Sequence, residues 1–408
     1  MTDRRTFLKG ITVLPATTML STQAGCSPVG ELAADRDYFN ELGIRPFINA
    51  AAAYSAFGGR NMWPAVIDAM EYARNQNVIM EELQGAVGKR LAELVGCEAA
   101  MVTGGATSSM TLGTAACITG TNPNFIRRVP DLRGLKNEVV VQKSHRNAYD
   151  HGVRNAGVRF IEVESTEELE GAITDSTAMM FYVYLFDSFS DELPKIGLEE
   201  FAALGQKHGI PTMIDGSNTV PPLERLSEYI DAGFDLACFS GGKGLRGPYS
   251  AGMLLGRQDL IAAARLNATP NADTIGRGMK VSKEEVLGML AAVEFSQKYD
   301  YSVENVRETQ LVNHIAHELS VFPGITTQVS YPATEGGRPH LQIFWDESVT
   351  PITIEEAQKE LEDGDPSIRT PYLSLSDGQL EIGTAMLKDH EIEVVVRRIG
   401  EVLASRRE

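Results

Sequence analysis

An α/β fold built on a mostly parallel sheet is the class this sequence predicts. Three observations predict it: short runs that are apolar throughout, helical patterns lying between several of them, and a change of rhythm after about residue 285. Strands buried on both faces read as continuous apolar runs rather than alternating ones, and helices between them imply βαβ crossovers.

The elements follow in order. GAVGKRLAELVG (85–96) has helical periodicity and leads into a short strand, AAMVT (99–103). EVVVQK (138–143), VRFIEV (158–163), AMMFYVYLF (178–186), IPTMID (210–215) and DLACFS (235–240) are further strands, with LEEFAALGQKHG (198–209) a helix among them. KEEVLGMLAAVEFSQKYDYS (283–302) reads as one long amphipathic helix with no strand of the same rhythm after it. Beyond it, RPHLQIFWD and HEIEVVVRRIGEVLAS belong to a more polar pattern. The expected organisation is a leader over 1–26, an N-terminal segment over 27–49, a large domain over 50–285 and a smaller α+β domain over 286–408.

Composition narrows the function. Of 408 residues, 43% are hydrophobic and 23% charged, a globular mix, and no apolar run of about 18 residues spans a bilayer. Lys and Arg total 37 against 55 Asp and Glu, a net charge of −18. Such a surface repels phosphate backbones, which sets nucleic acid aside as a partner.

The leader, MTDRRTFLKGITVLPATTMLSTQAGCSP, places Arg4 and Arg5 before a weakly apolar stretch over 11–20 and the small residues Ala24 and Gly25. That layout is a signal peptide, and Pro15 opposes a packed helix there. RRTFLK resembles a twin-arginine (Tat) export signal, so the Tat machinery is an expected partner and the location extracytoplasmic or periplasmic. Cys26 resembles a lipoprotein cysteine, except that Gln23 stands where an aliphatic residue is usual. Removal of residues 1–25 would leave a charge of −20. Cys97, Cys117 and Cys238 have no metal-ligand spacing and read as buried free thiols.

Three motifs carry chemistry. VTGGATSSM (102–110) runs a strand through two glycines into a helix start, where Gly104, Gly105, Ala106 and Thr107 present backbone N–H groups to an anion. Asp215 closes IPTMID before Gly216-Ser217-Asn218, at the carboxyl end of a strand where α/β ligand sites collect. SGGKGLRG (240–247) sets Lys243 in a glycine-rich loop. Singly these are a plain connection, a helix cap and a solvated lysine; together they point to pyridoxal 5′-phosphate (PLP) held as a Schiff base.

At this point the chain resembles fold-type-I PLP enzymes, and among them the selenocysteine synthase (L-seryl-tRNA selenium transferase) and D-glucosaminate-6-phosphate ammonia-lyase-like family. The matching stretches are residues 45–70, QKSHRNAYDHGVRNAG (142–157), MIDGSN (213–218) and FSGGKGLRGPYSAGMLLG (239–256). The resemblance implies that Lys243 holds the cofactor and acts as general base, and that Asp215 pairs with the pyridinium nitrogen. It also implies that Ser240 reaches the phosphate, that Ser217 joins the cofactor shell and that His145 lies over the ring. Arg146, Arg369 and Arg60 are the implied binders of substrate anions, with Arg60 reaching a neighbour's site in a homodimer or higher homo-oligomer. Ala52-Ala53-Tyr54-Ser55 departs from the family's Gly-Thr-Tyr-Thr-like run in the expected substrate pocket. The synthase's tRNA-engaging N-terminal domain has no counterpart in the pattern.

The implied activity is α,β-elimination of an ammonia-lyase type on a small polar amino acid or amino-sugar acid. An aminotransferase or racemase, a seryl-tRNA selenium transferase, and a non-catalytic exported binding protein are the alternatives. No metal is expected: His314 and His317 read as a helix face, and ELEDGD (360–365) as solvated surface. No GxSxG or GxGxxG motif supports a hydrolase or a dinucleotide enzyme.

Overall fold

The computed structural model describes residues 36–184, 195–331, 338–371 and 378–404; the leader with Arg4, Arg5 and Cys26, and positions 185–186 of the 178–186 strand reading, lie outside them. The chain divides into a unit ending at Pro46 and a unit from Phe47 to Glu408. The described part of the first is a short helix, Tyr38–Glu41, whose N-terminus is capped by the Asp37 side chain.

The second unit carries twelve strands among the described residues: β1 Phe47–Asn49, β2 Ala99–Thr103, β3 Glu138–Gln142, β4 Arg159–Val163, β5 Thr177–Val183, β6 Thr212–Asp215, β7 Leu236–Ser240, β8 Gly252–Gly256, β9 Ile325–Ser330, β10 His340–Trp345, β11 Ser367–Arg369 and β12 Leu380–Gly383. Seven of them form one sheet in the order β2-β8-β7-β6-β5-β3-β4. All neighbours pair in parallel except β8, which runs antiparallel between β2 and β7. The mostly parallel sheet is as the apolar runs predict. IPTMID starts pairing only at Thr212, since Pro211 has no N–H to give the ladder, although its carbonyl still accepts from Met180.

Side chains alternate between two cores. Val140, Met180, Tyr182, Ile214, Ala237 and Phe239 face one layer. Val139, Met179, Phe181, Met213, Leu236 and Cys238 face the other, together with Met110, Leu112 and Ala115 of the helix Ala106–Thr119. Both faces are therefore dry, and polar chemistry is confined to strand ends.

The 283–302 helix is corrected to two. Lys283–Ser296 begins on a reciprocal capping box between Ser282 and Glu285, and Ser302–Leu319 follows it. Between them Asp300 accepts from the Ser302 N–H at 2.9 Å, and the Tyr301 hydroxyl lies 2.8 Å from Ser296 Oγ. Tyr299 meanwhile packs against Trp63 and Phe295. The first helix is not amphipathic: Val286, Met289, Ala292 and Val293 are fully buried, and Leu287, Leu290 and Phe295 pack against the same core.

The C-terminal region builds an antiparallel sheet, β12-β10-β9, and a parallel pair, β1-β11. Strand β1 comes from the start of the unit, yet Ile48 and Ala50 share a core with Ile315, Leu341, Ile368 and Val395. ELEDGD is more than solvated surface, because Leu361 is fully buried and Glu362 binds Arg369 at 2.7 Å.

Candidate active site

The topology brings the carboxyl ends of β2, β5, β6 and β7 to one edge of the large sheet. Thr103, Val183, Asp215 and Ser240 end those strands there. Gly252, the first residue of antiparallel β8, pairs with both Ser240 and Thr103, so it stands between them.

The anion cradle is built around that glycine. A Cβ on Gly252 would come within 2.6 Å of the Gly105 carbonyl carbon and 2.8 Å of the Ala106 nitrogen. Gly105 has φ 88°, a left-handed conformation costly for any side-chain-bearing residue. It starts the helix Ala106–Thr119, and no side chain caps it. An uncapped helix N-terminus offers its first N–H groups and a partial positive charge to an anion. Ser109 Oγ lies 2.7 Å from Thr103 Oγ1 and donates to the Met253 carbonyl at 3.1 Å, which fixes the helix start onto β2 and β8. Gly104, Gly105, Ala106 and Thr107 thus fit a phosphate, with Ser240 two strands away across Gly252.

Asp215 is 7% exposed. Its Oδ1 accepts the Ser217 N–H at 2.9 Å and lies 3.7 Å from Cys238 Sγ, the thiol of its register partner on β7. Burial pushes the Cys238 thiol well above its ordinary pKa, with the Asp215 charge adding to the effect, so the sulfur stays protonated and donates to the carboxylate. Sequence reasoning missed this contact, since a lone cysteine on an apolar strand signals only packing.

Lys243, half-buried, sits in the turn after β7. That turn is pressed onto the Asp215 loop: a Cβ on Gly244 would fall 1.9 Å from the Val220 carbonyl oxygen. From the other side, the Arg60 N–H donates to the Gly242 carbonyl at 2.8 Å, and the Tyr249 hydroxyl donates to the Ser55 carbonyl at 2.9 Å. The departure region Ala52–Ser55 therefore adjoins the lysine loop.

Four further sequence candidates make the following contacts within the chain. His145 is fully buried, with Nδ1 accepting from the Val183 N–H at 3.3 Å, Nε2 lying 3.1 Å from the Gln142 amide nitrogen, and Tyr182 edge-on to its ring. Burial lowers its pKa to about 3, so it is neutral. Arg146 turns to the sheet margin, binding Asp150 at 2.6 Å and Glu162, with its guanidinium over Phe160. Arg369 is paired with Glu362, and its carbonyl accepts from Ala50. Arg60 is buried within its own chain against Glu304 at 3.4 Å. Of the remaining sequence candidates, His314 binds Glu393 at 2.9 Å.

A glycine-built anion cradle, and a lysine turn packed onto the loop that follows a strand-end aspartate, on one edge of such a sheet, fit the class of fold-type-I PLP-dependent enzymes. Residues 81–321 match the family model for L-seryl-tRNA selenium transferase, and the chain belongs to that family. It is 31% identical over 377 residues to the 5'-C-glycyluridine monooxygenase-decarboxylase of Streptomyces sp, covering 90% of this chain and 92% of the relative. It is 25% identical over 375 residues to the D-glucosaminate-6-phosphate ammonia lyase of Salmonella typhimurium, covering 89% and 97%. A solved structure of D-glucosaminate-6-phosphate ammonia-lyase superposes with TM-score 0.80 at 23% identity, over 91% of this chain and 99% of that one. A serine palmitoyltransferase from S. paucimobilis with bound PLP shares the fold at TM-score 0.55 and 13% identity, over 88% of each chain. The chain is a PLP-dependent enzyme.

Proposed function

We propose that this enzyme is a lyase of the α,β-elimination type, releasing ammonia from an amino-sugar acid or another small polar amino acid. The observation that carries the reading is the packing of the Lys243 turn onto the Asp215 loop. The Salmonella ammonia lyase, similar over nearly its whole length, supports the substrate class.

When bound, PLP supplies an electron sink for the bond broken at the substrate's Cα. The chain's own residues supply position and protons. Gly104 to Thr107 and Ser240 would hold the phosphate, and Asp215, steadied by the Ser217 N–H and the Cys238 thiol, would keep a proton on the pyridine nitrogen. Lys243 Nζ would hold the cofactor and serve as the base for the Cα proton; general-base help of this kind contributes about 10² to 10⁴ in rate. The β-substituent would leave with a proton, as water in the case of a β-hydroxyl, and hydrolysis of the freed enamine would give a 2-oxo acid and ammonia.

The test is a screen of amino acids and amino-sugar acids that assays 2-oxo acid and ammonia together. Equal yields support elimination, whereas oxo acid formed only with an added amino acceptor indicates transamination. Lys243→Ala should abolish turnover and the borohydride-reducible cofactor band while leaving the fold intact; a variant that keeps both refutes the assignment.

A second reading, oxidative decarboxylation, is favoured by the 31% identity to the Streptomyces monooxygenase-decarboxylase. Oxygen uptake with carbon dioxide release in the same screen identifies it. Transfer of selenium to seryl-tRNA is opposed by the net charge of −18.

We further propose export by the twin-arginine route with PLP already bound, and a homodimer or higher homo-oligomer. The RR pair and the small-residue end of the leader support the first. Replacement of Arg4 and Arg5 by lysines should leave uncleaved, active protein in the cytoplasm, and normal export of that variant removes the proposal.

A further inference from the structure

Five charged side chains gather where the lysine turn meets the helix Ser302–Leu319. Glu304, in the first turn of that helix, is 9% exposed, and Glu308 one turn on is 2% exposed. Glu304 Oε1 takes Arg246 Nη1 at 3.1 Å; its Oε2 takes Arg338 Nη2 at 2.8 Å and both terminal nitrogens of Arg60 at 3.4 Å. Arg338 also binds Glu308. Three guanidiniums from three distant parts of the chain thus share two carboxylates, and Glu304 serves all three.

Burial resists charge at Arg60, Glu304 and Glu308. It lowers Arg60 to about 10, with the Arg338 charge adding to it, and it raises Glu308 from its ordinary pKa. Burial opposes ionisation of Glu304 too, but Arg60, Arg338 and Arg246 outweigh it and hold this carboxyl below its ordinary pKa. Glu304 is the anion on which the cluster depends.

Arg246 connects the cluster to Lys243. It lies three residues further on and is the non-glycine residue with positive φ, 50°, among the described residues. A side chain held there carries backbone strain, and the conformation persists only where its surroundings over-determine it. They do: the Arg246 N–H donates to the Lys243 carbonyl at 3.0 Å, and its carbonyl accepts from the Trp63 N–H at 3.0 Å. Its Nε donates to the Asn61 carbonyl at 2.9 Å, and its guanidinium sits 3.6 Å from the Trp63 ring centroid. The Arg60 N–H holds the Gly242 carbonyl on the other side of Lys243. The turn is stitched to residues 60–63 on both flanks, and Glu304 grips the side chain of each stitching arginine.

We propose that Glu304 is a positioning residue for Lys243, acting through Arg246 and Arg60 to hold the strained lysine turn in its cofactor-ready shape. This rests on Lys243 as the cofactor lysine. A glutamine at 304 keeps the size but turns an N–H donor toward one of the arginines, so one of its two grips must fail. Arg246→Lys removes the planar fork that reaches Glu304, Asn61 and Trp63 together. Arg338→Lys disturbs the same carboxylates without touching either stitch, and serves as the control.

The experiment compares Glu304→Gln, Arg246→Lys, their double variant and Arg338→Lys with the wild-type holoenzyme. Readouts are the PLP dissociation constant, the visible circular dichroism of the bound cofactor, hydrogen exchange of amides 240–249 in the apoenzyme, and the melting temperature. Glu304→Gln and Arg246→Lys should each raise the PLP dissociation constant about tenfold, the equivalent of roughly one charge-assisted hydrogen bond. Each should alter the dichroism and speed exchange in the turn, and the double variant should be no worse than the weaker single, as expected of residues acting as a unit. Arg338→Lys should lower only the melting temperature. The inference is overturned if Glu304→Gln lowers the melting temperature alone, or if Arg338→Lys reproduces the cofactor effects. Should Glu304→Gln fail to fold, Arg246→Lys decides the matter: cofactor affinity and dichroism like wild type overturn it. A wild-type enzyme with no borohydride-reducible band overturns the Lys243 reading itself, an outcome distinct from a normal band with insensitive variants.

Discussion

Replacing Gly244 by alanine probes the weld between the lysine turn and the Asp215 loop. The added Cβ would lie 1.9 Å from the Val220 carbonyl oxygen, and 2.7 Å from both the Val220 carbonyl carbon and Pro221 Cδ. Ordinary contact begins at 3.4 Å, so the two loops must part by about 1.5 Å. The obstructing atoms are main chain and a proline ring, and neither can rotate aside. Overpacking of this kind costs about 1–3 kcal/mol, and a displacement of about 1 Å in catalytic positioning costs on the order of 10² in rate. Gly244→Ala should therefore stay folded with a lower melting temperature, and lose roughly a hundredfold or more in kcat/KM. Steady-state kinetics on the substrate found by the screen, with calorimetry and borohydride trapping, measures all three. Wild-type kcat/KM in this variant would show that the two loops need not touch for Lys243 to work, and the site reading would fall.

The matched control is Gly171→Ala, within the helix Thr166–Ala172, where a Cβ meets nothing within 4 Å. It should gain about 0.5–1 kcal/mol in urea unfolding at unchanged activity, and a loss of stability would contradict the open space assigned there. Asp215→Asn should retain PLP but lose about 10³ in kcat, since a charge pair at about 4 Å contributes about 4 kcal/mol at an effective dielectric of 20; an unchanged kcat would leave Asp215 only the Ser217 turn to hold. His145, at a pKa of about 3 when folded against 6.5 when free, is protonated first in the unfolded chain. Its stabilisation is complete above pH 6.5 and drains as pH falls toward 3, reaching a loss of about 2 kcal/mol at pH 5. Unfolding of His145→Gln at pH 7 and pH 5 should show a difference smaller than wild type by about that amount, and equal differences would remove His145 as the source.

The large sheet was legible because its evidence is local. An unbroken apolar run such as Val139–Val141 signals a strand buried on two faces whatever lies beside it. The chemistry at its edge was legible for a related reason: Gly104-Gly105, Asp215 and Lys243 each sit in a short turn whose residue types announce a backbone need or a reactive group. Helix boundaries were less so, because Asp300 and Tyr301 break the 283–302 pattern through contacts that periodicity does not register. Strand β1 shows the same limit, since its partner β11 lies more than three hundred residues further along the chain.

Charge partners were where sequence reasoning had least purchase. An arginine's type says that it wants a carboxylate, and says nothing about which one the fold will deliver. Arg146, for which the resemblance implies a substrate anion, pairs with Asp150 and Glu162; Arg60, for which it implies a neighbour's site, pairs with Glu304, 244 positions away in its own chain. By itself, then, the sequence determined the sheet and the turns that carry Gly104-Gly105, Asp215 and Lys243, because apolar periodicity and turn chemistry act over a few residues. Tertiary structure alone decided that Cys238 would touch Asp215 and that Glu304 would gather three arginines beside Lys243, because a buried charge is satisfied by whatever the long-range topology places within about 3 Å of it.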